Sequence, residues 1–460
     1  MTNSRKNDIV ESSRYAVFST GKQFSAATEH VVSQDYERGK RRFSRRLGQW
    51  AFAPEHIMKS IRDIYKVGKG PSSSHTMGPA KAASDFRRET PEADAYRVTL
   101  YGSLSKTGKG HGTDRAVIET LAPVPTEVIF SEEMPEDIQH PNTMDLVALR
   151  DGQELARQRV RSIGGGDILV EGRPAPDKSE ETYLENSFAE IKQFCEFRYI
   201  SLIDYVEMNE GKDIWDYLLG IWEVMQRAVQ EGLAATGELP GGLHIDRKAK
   251  SIYDHILVNK HPEVVECQMV CSFAYAVSEQ NADNGTIVTA PTCGSCGVLP
   301  AVLYYIKDKR HLSDLDIAHA LGVAGLFGEL AKRNASVSGA ECGCQAEIGV
   351  ACAMAAAALG QVFGYSIKKI EYAAEVALEH HLGLTCDPIC GMVQIPCIER
   401  NAVAAMRALN SANLAYFLAD TRRISYDMVV KTMYETGVNM NRGYRETSEA
   451  GLARLYSRRG

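Results

Sequence analysis

From about Thr182 onward, apolar residues recur at helical spacing almost without a break, and no other feature restricts the fold of this chain so strongly. Ile214 to Gln230, Leu315 to Leu330, Cys344 to Leu359 and Tyr372 to Leu382 all carry the pattern. The Ala-rich run from Gly349 to Gly360 has no polar face and reads as a buried helix. It falls short of the roughly 20 apolar residues that a membrane span needs. Strand signals are scarce here, with Gly285 to Pro291 a weak exception. Upstream the pattern is mixed. Tyr96 to Tyr101 alternates like a half-buried strand, whereas Arg115 to Leu121 and the stretch after Pro79 read as helices. Charged, Pro-containing sequence from Arg173 to Glu181 reads as a linker. The expected fold is α+β: a small N-terminal α/β domain over 58–172, then a larger, mostly α-helical domain over 182–455. With 44% hydrophobic residues in a chain of 460, both can bury a core.

Residues 1–57 differ from the rest. They are polar and carry the basic run Arg38, Lys40, Arg41, Arg42, Arg45 and Arg46. Asp8, Glu11, Glu29, Asp35 and Glu37 argue against a transit peptide, which is poor in acids. The expectation is a solvated extension, with Met58 as the functional start. A net charge of −7 disfavours nucleic acid or an anionic membrane as the main partner.

Cysteine usage bears on chemistry. Ten of the 11 cysteines fall between Cys267 and Cys397, and no apolar signal segment opens the chain. A reducing cytoplasm is therefore the expected compartment, where clustered cysteines serve metal or redox chemistry more often than bridging. Cys344, Cys386 and Cys397 are each followed by Pro or a helical stretch, so each can present sulfur at a helix terminus. The dipole there favours the thiolate that a metal needs. Cys293-Gly294-Ser295-Cys296 has the spacing of a zinc knuckle but lacks a second pair, and spacing alone leaves zinc, redox and packing open.

Two hydroxyl- and histidine-bearing loops precede the cysteines. Lys69-Gly70-Pro71-Ser72-Ser73-Ser74-His75-Thr76 opens with turn residues and ends where a helix can begin. Ser and Thr can cap that helix, and its free N–H groups suit a carboxylate. His75 beside it has a side chain suited to proton transfer, although one capping Ser and a surface His would explain the same residues. Gly102 to Asp114 resembles a phosphate loop and fails the test. Five residues separate Gly102 from Gly108 instead of four, and Gly110 stands where Ser or Thr would hold magnesium. Lys109 and His111 are instead expected to form a second polar edge to the same pocket. Ser162-Ile163-Gly164-Gly165-Gly166 is a Gly-rich turn.

Together these segments resemble the iron–sulfur-dependent L-serine dehydratases of the single-chain bacterial type, from about Met58 to Ala453. The resemblance also rests on His140-Pro141-Asn142, Thr289 to Gly294, Asn334 to Glu341 and Tyr444 to Ser448. It implies a β-chain-like domain followed by an α-chain-like catalytic domain, and a homodimer. It further implies a 4Fe–4S cluster on Cys344, Cys386 and Cys397, with one iron lacking a protein ligand and meeting L-serine. His75 corresponds to the catalytic base, and Ser72, Ser73, Ser74, Thr76, Lys109, His111, Asn334 and Ser336 to substrate-binding residues. The chain departs from the family at Gly112, where many members have a second His, and at Cys342 and Ala346. Some relatives end in a cysteine that covers the open iron; here Leu455 to Gly460 has none, so that device is expected to be absent. Cys293, Cys296 and Cys390 stay unassigned.

Other readings compete. The same elimination could act on L-threonine or L-cysteine. A pyridoxal-phosphate dehydratase would need a Schiff-base lysine, and none stands out. A thiol-redox protein built on Cys293 and Cys296 would leave the His75 loop without a purpose. A serine-sensing protein without turnover is a fourth reading.

Overall fold

The computed structural model describes residues 58–138, 140–173, 181–258 and 261–457. The N-terminal extension and most of the proposed linker lie outside the described residues. The fold is α+β, with a sheet-bearing N-terminal part and a larger helical part.

Five strands form the main sheet, in the order Thr126–Phe130, Ala95–Leu100, Thr143–Arg150, Gln153–Gly164, Asp167–Val170. The first two are parallel and the remaining pairs antiparallel. Ala95–Leu100 realises the alternation read from the sequence: Tyr96, Val98 and Leu100 are buried, while Arg97 is exposed. The buried side chains meet Ala82, Ala83 and Phe86 of the helix Gly78–Glu89 and Val117 and Leu121 of the helix Thr113–Leu121. The Val, Leu and Phe side chains among them contribute roughly 1.5–3 kcal/mol each when fully buried.

Two short ladders tie the N-terminal segment to the helices. Val67–Lys69 pairs antiparallel with Thr286–Val288, which is the strand signalled weakly near Gly285. Met58–Lys59 pairs with Glu181–Tyr183. Met58, Ile61, Ile64 and Tyr65 consequently belong to the helical core. At the centre of that core runs Val350–Val362, buried from Val350 to Gly360. Around it pack Val298–Arg310, Asp314–Asn334, Ile367–Glu379 and Cys397–Leu418. Alanines on every side let these neighbours approach without a steric penalty, and an all-apolar helix must be buried. The window Gln345–Val362 is long and apolar enough to cross a membrane by length and composition, but 83% of it is buried inside the protein. Asp314–Asn334 starts on a capping box, with Ser313 and Asp316 each bonding the other's backbone.

Two helices begin on a wider, π-helical turn: Ser73–Met77 leads into Gly78–Glu89, and Gln345–Gly349 leads into Val350–Val362. Such turns occur often at functional sites. Sequence periodicity expected the second helix to run unbroken from Cys344, and the wide turn interrupts it.

Glu329, on Asp314–Asn334, gives a stability prediction. Burial raises its carboxyl to about 7, although the Lys332 ammonium opposes the shift. The folded state therefore keeps a proton that the unfolded chain releases near pH 4.3, and stability falls as pH rises from there to about 7. Glu329→Gln removes this loss. Its Tm gain over wild type should be larger at pH 8 than at pH 5; an equal gain at both would refute the assignment.

Candidate active site

The cis Gly70–Pro71 bond sets the start of the first loop, and the Asn281 amide donates to the Pro71 carbonyl at 2.8 Å. Ser72 caps the turn, its Oγ accepting from the His75 N–H at 3.1 Å. His75 is fully buried. Its Nε2 lies 3.0 Å from Ser103 Oγ, and the Ser103 hydroxyl donates to the Glu446 carbonyl at 2.6 Å. With that proton committed, Ser103 must accept from His75, which puts the imidazole hydrogen on Nε2. Nδ1 then holds the lone pair, 3.0 Å from Ser74 Oγ and 3.3 Å from Glu446 Oε1.

His111 stacks on His75 with ring centroids 4.4 Å apart. Its Nδ1 lies 2.8 Å from the Thr107 carbonyl, which can only accept, so its Nε2 is also a lone pair, 3.7 Å from Glu446 Oε1. The Thr76 hydroxyl donates to the His111 carbonyl at 3.0 Å and joins the two loops. Burial, then the His111 imidazole stacked against it, holds His75 well below the usual imidazole range. Burial lowers His111 to about 4. Glu446 moves the other way, raised to about 8 by burial and by the Cys344 thiolate. Near neutrality, both rings are neutral and the carboxyl holds the proton.

Glu446 also links this group to the cysteines. Its N–H donates to the Cys386 carbonyl at 2.7 Å, and the Cys386 N–H donates to the Tyr444 carbonyl at 2.8 Å. Among the described residues, ligand atoms of His75, His111 and Glu446 lie within 4.8 Å of one another, as do those of Cys344, Glu347 and Cys386. Cys397 lies outside the second group, but the Arg400 guanidinium feels the charges of Cys344, Cys397 and Cys386 together. A hydrogen bond from Cys386, then Arg400, brings the Cys344 thiol down to about 6 against burial. Thr292 Oγ1 donates to Glu347 Oε1 at 2.8 Å. Cys344 precedes the turn Gln345–Gly349 and Cys397 opens the helix Cys397–Leu418, so both stand at helix N-termini. Cys386 does not: it lies in an isolated bridge with Arg445. Three buried thiols from three segments, none in a disulfide and all near one cation, form a donor set that suits an iron–sulfur cluster.

The remaining sequence-predicted residues divide. Ser72, Ser73, Ser74, Thr76 and His111 are buried around His75. Lys109 is exposed, with its ammonium over the Phe130 ring at 5.4 Å. Asn334 donates to the Asn186 carbonyl at 2.8 Å. Ser336 donates to Glu341, which in turn faces His140 Nε2 at 3.2 Å. Cys293 and Cys296 are buried, the Cys293 thiol meeting Met77 Sδ at 3.3 Å, and Cys390 is exposed. Sequence reasoning assigned no role to Ser103, Glu347, Arg400 or Glu446. Glu446 lay within the segment Tyr444 to Ser448, and Arg400 three residues after Cys397, but nothing local marked their partners.

Residues 114–453 match the family model described as serine dehydratase alpha chain, and residues 60–139 that of the serine dehydratase beta chain. L-serine dehydratase 2 of Escherichia coli K12 is 40% identical over 449 residues, covering 86% of this chain and 98% of its own. The L-serine dehydratase of Haemophilus influenzae is 40% identical over 449 residues, covering 86% and 99%. That of Streptomyces coelicolor is 37% identical over 446 residues, covering 86% and 98%.

Proposed function

Because the chain belongs to the serine dehydratase family, we propose that it is an L-serine dehydratase, converting L-serine to pyruvate and ammonia with a 4Fe–4S cluster held by Cys344, Cys386 and Cys397. One observation carries this reading: Glu446 touches the histidine pair with its carboxylate and the Cys386 backbone with its N–H. A proton acceptor and a thiol cluster thus adjoin in one buried place. All 11 cysteines are free, as in a reducing cytoplasm.

When bound, a cluster with one iron free of protein ligands supplies a Lewis acid for the departing hydroxyl. The chain's own groups handle the α-proton. His75 Nδ1, unprotonated and aimed at the site, takes it. Ser103 keeps Nε2 protonated, so the ring keeps its orientation as it becomes cationic. The Glu446 carboxyl beside Nδ1 holds a proton near neutrality, and by releasing it becomes the carboxylate that offsets the new charge. As the Cα–H pair forms the Cα=Cβ bond, the Cβ–O bond breaks and hydroxide leaves as water with the proton that Glu446 releases; the proton taken by His75 then returns to Glu446, 3.3 Å from Nδ1. The 2-aminoacrylate released tautomerises to an imine, and water hydrolyses it to pyruvate and ammonia.

Protein prepared without air should contain iron and acid-labile sulfide, and should form pyruvate and ammonia from L-serine in equal amounts. Full activity after complete removal of iron would defeat the reading.

A further inference from the structure

Next to the histidines and cysteines stands a set of polar side chains with no partner. Asn142 is fully buried, yet neither its amide nitrogen nor its amide oxygen makes a hydrogen bond. The hydroxyls of Ser162 and Ser338, also buried, are likewise unpartnered. Native proteins rarely leave such groups unpaired, because desolvating them without compensation is costly.

The three share one place. Ser162 N–H donates to the Asn142 carbonyl at 2.9 Å, and Thr143 pairs with Arg161, so Asn142 and Ser162 stand opposite each other on neighbouring strands. Opposed residues project from the same face of a sheet. That face meets the His75 turn: a Cβ added to Gly78 would stand 2.3 Å from Ser162 Oγ and 3.4 Å from the Ser73 carbonyl. A Cβ on Gly164 would come within 3.2 Å of Ser338 Cβ, and one on Gly339 within 3.2 Å of Cys386 Sγ. On the other side, Ser103 N–H donates to the Pro141 carbonyl at 2.8 Å, next to Asn142. The unpartnered groups therefore lie between the residue that holds His75 and one of the cysteines. A cavity of about 550 Å³ has Ser103, Pro141 and Ala340 in its walls, so it reaches the residue next to Asn142 and the one two positions after Ser338, while the three unpartnered groups lie behind its walls.

A carboxamide presents a donor and an acceptor side by side. An α-amino acid presents the complement, a carboxylate and an ammonium on one carbon. We propose that Asn142, Ser162 and Ser338 form the recognition site for the α-carboxylate and α-ammonium of the amino-acid substrate. Asn142 Nδ2 and the two hydroxyls donate to the carboxylate, and Asn142 Oδ1 accepts from the ammonium. This rests on the dehydratase reading and extends it to how the substrate is held. The hydroxyls of the His75 loop are otherwise engaged: Ser72 on the His75 N–H, Ser74 on the ring and Thr76 on the His111 carbonyl.

The test compares cluster-loaded wild type, Asn142→Leu and Ser162→Ala, all handled without air. L-alanine, which has both charged groups but no hydroxyl to lose, serves as the unreactive probe. L-alanine should raise the Tm of wild type and leave that of Asn142→Leu unchanged. Without ligand, Asn142→Leu should melt higher than wild type, since the change removes an unpaired buried amide. Its KM for L-serine should rise by about 100-fold and that of Ser162→Ala by about 10-fold, as expected for lost hydrogen bonds to charged groups. An Asn142→Leu protein that melts lower and keeps the wild-type KM would assign the amide to a structural water and overturn the proposal. If that variant does not fold, Ser162→Ala and Ser338→Ala decide, because no hydrogen bond is lost in either; unchanged KM in both overturns it. A wild type that makes no pyruvate would instead remove the activity reading, and this site with it.

Discussion

Cys386→Ala protein, prepared without air, is expected to lose its iron and acid-labile sulfide and to form no measurable pyruvate from L-serine. Its fold should survive, because the backbone around residue 386 is held by main-chain bonds that the substitution leaves alone. The Cys386 N–H still reaches the Tyr444 carbonyl and the Glu446 N–H still reaches the Cys386 carbonyl, at 2.8 and 2.7 Å. What disappears is one of the three thiols proposed to hold the cluster, and with it the hydrogen bond that favours the Cys344 thiolate. Cys352→Ala is the matched control. That thiol is buried in the central helix and donates to the Ala404 carbonyl at 3.2 Å. It should cost modest stability and leave iron content intact. Equal iron in wild type and Cys386→Ala would remove Cys386 from the ligand set.

His75→Ala should have the opposite signature: full iron and sulfide, an unchanged visible spectrum, and kcat lower by about 10²–10⁴-fold, the usual contribution of a positioned base. The side chain is buried and contacts Ser72, Ser74, Ser103, His111 and Glu446. Burial and His111 keep it neutral near pH 7, so its lone pair is available without prior deprotonation. Removing the ring also opens a cavity beside His111, so Tm should be measured in parallel. A variant of near wild-type kcat, with iron retained, would exclude His75 as the base.

Much of the architecture could be read locally. The strand Ala95–Leu100 showed itself as alternation, and the central helix as an alanine run without a polar face. The three cysteines and His75 stood out by residue type and flanking sequence. The partners did not. Ser103 and the Glu446 carbonyl that it bonds are 343 positions apart, and an exposed acid and a buried one look alike in a sequence. Lys109 was expected to edge the pocket with His111, and where its ammonium lies, over the Phe130 ring, was not legible in the loop. Asn142 belonged to a segment that carries the resemblance but had no role assigned to it, and its burial without partners points to one.

The sequence by itself determined the elements, the α+β class and the stock of thiols, imidazoles and hydroxyls, because periodicity and residue chemistry are properties of neighbours along the chain. Only the tertiary structure decided which of them meet. The Glu446 shift to about 8, the lone pair on His75 Nδ1 and the unpaired Asn142 amide all arise from burial and from groups delivered by distant segments. Those are consequences of packing, and packing depends on the whole chain at once.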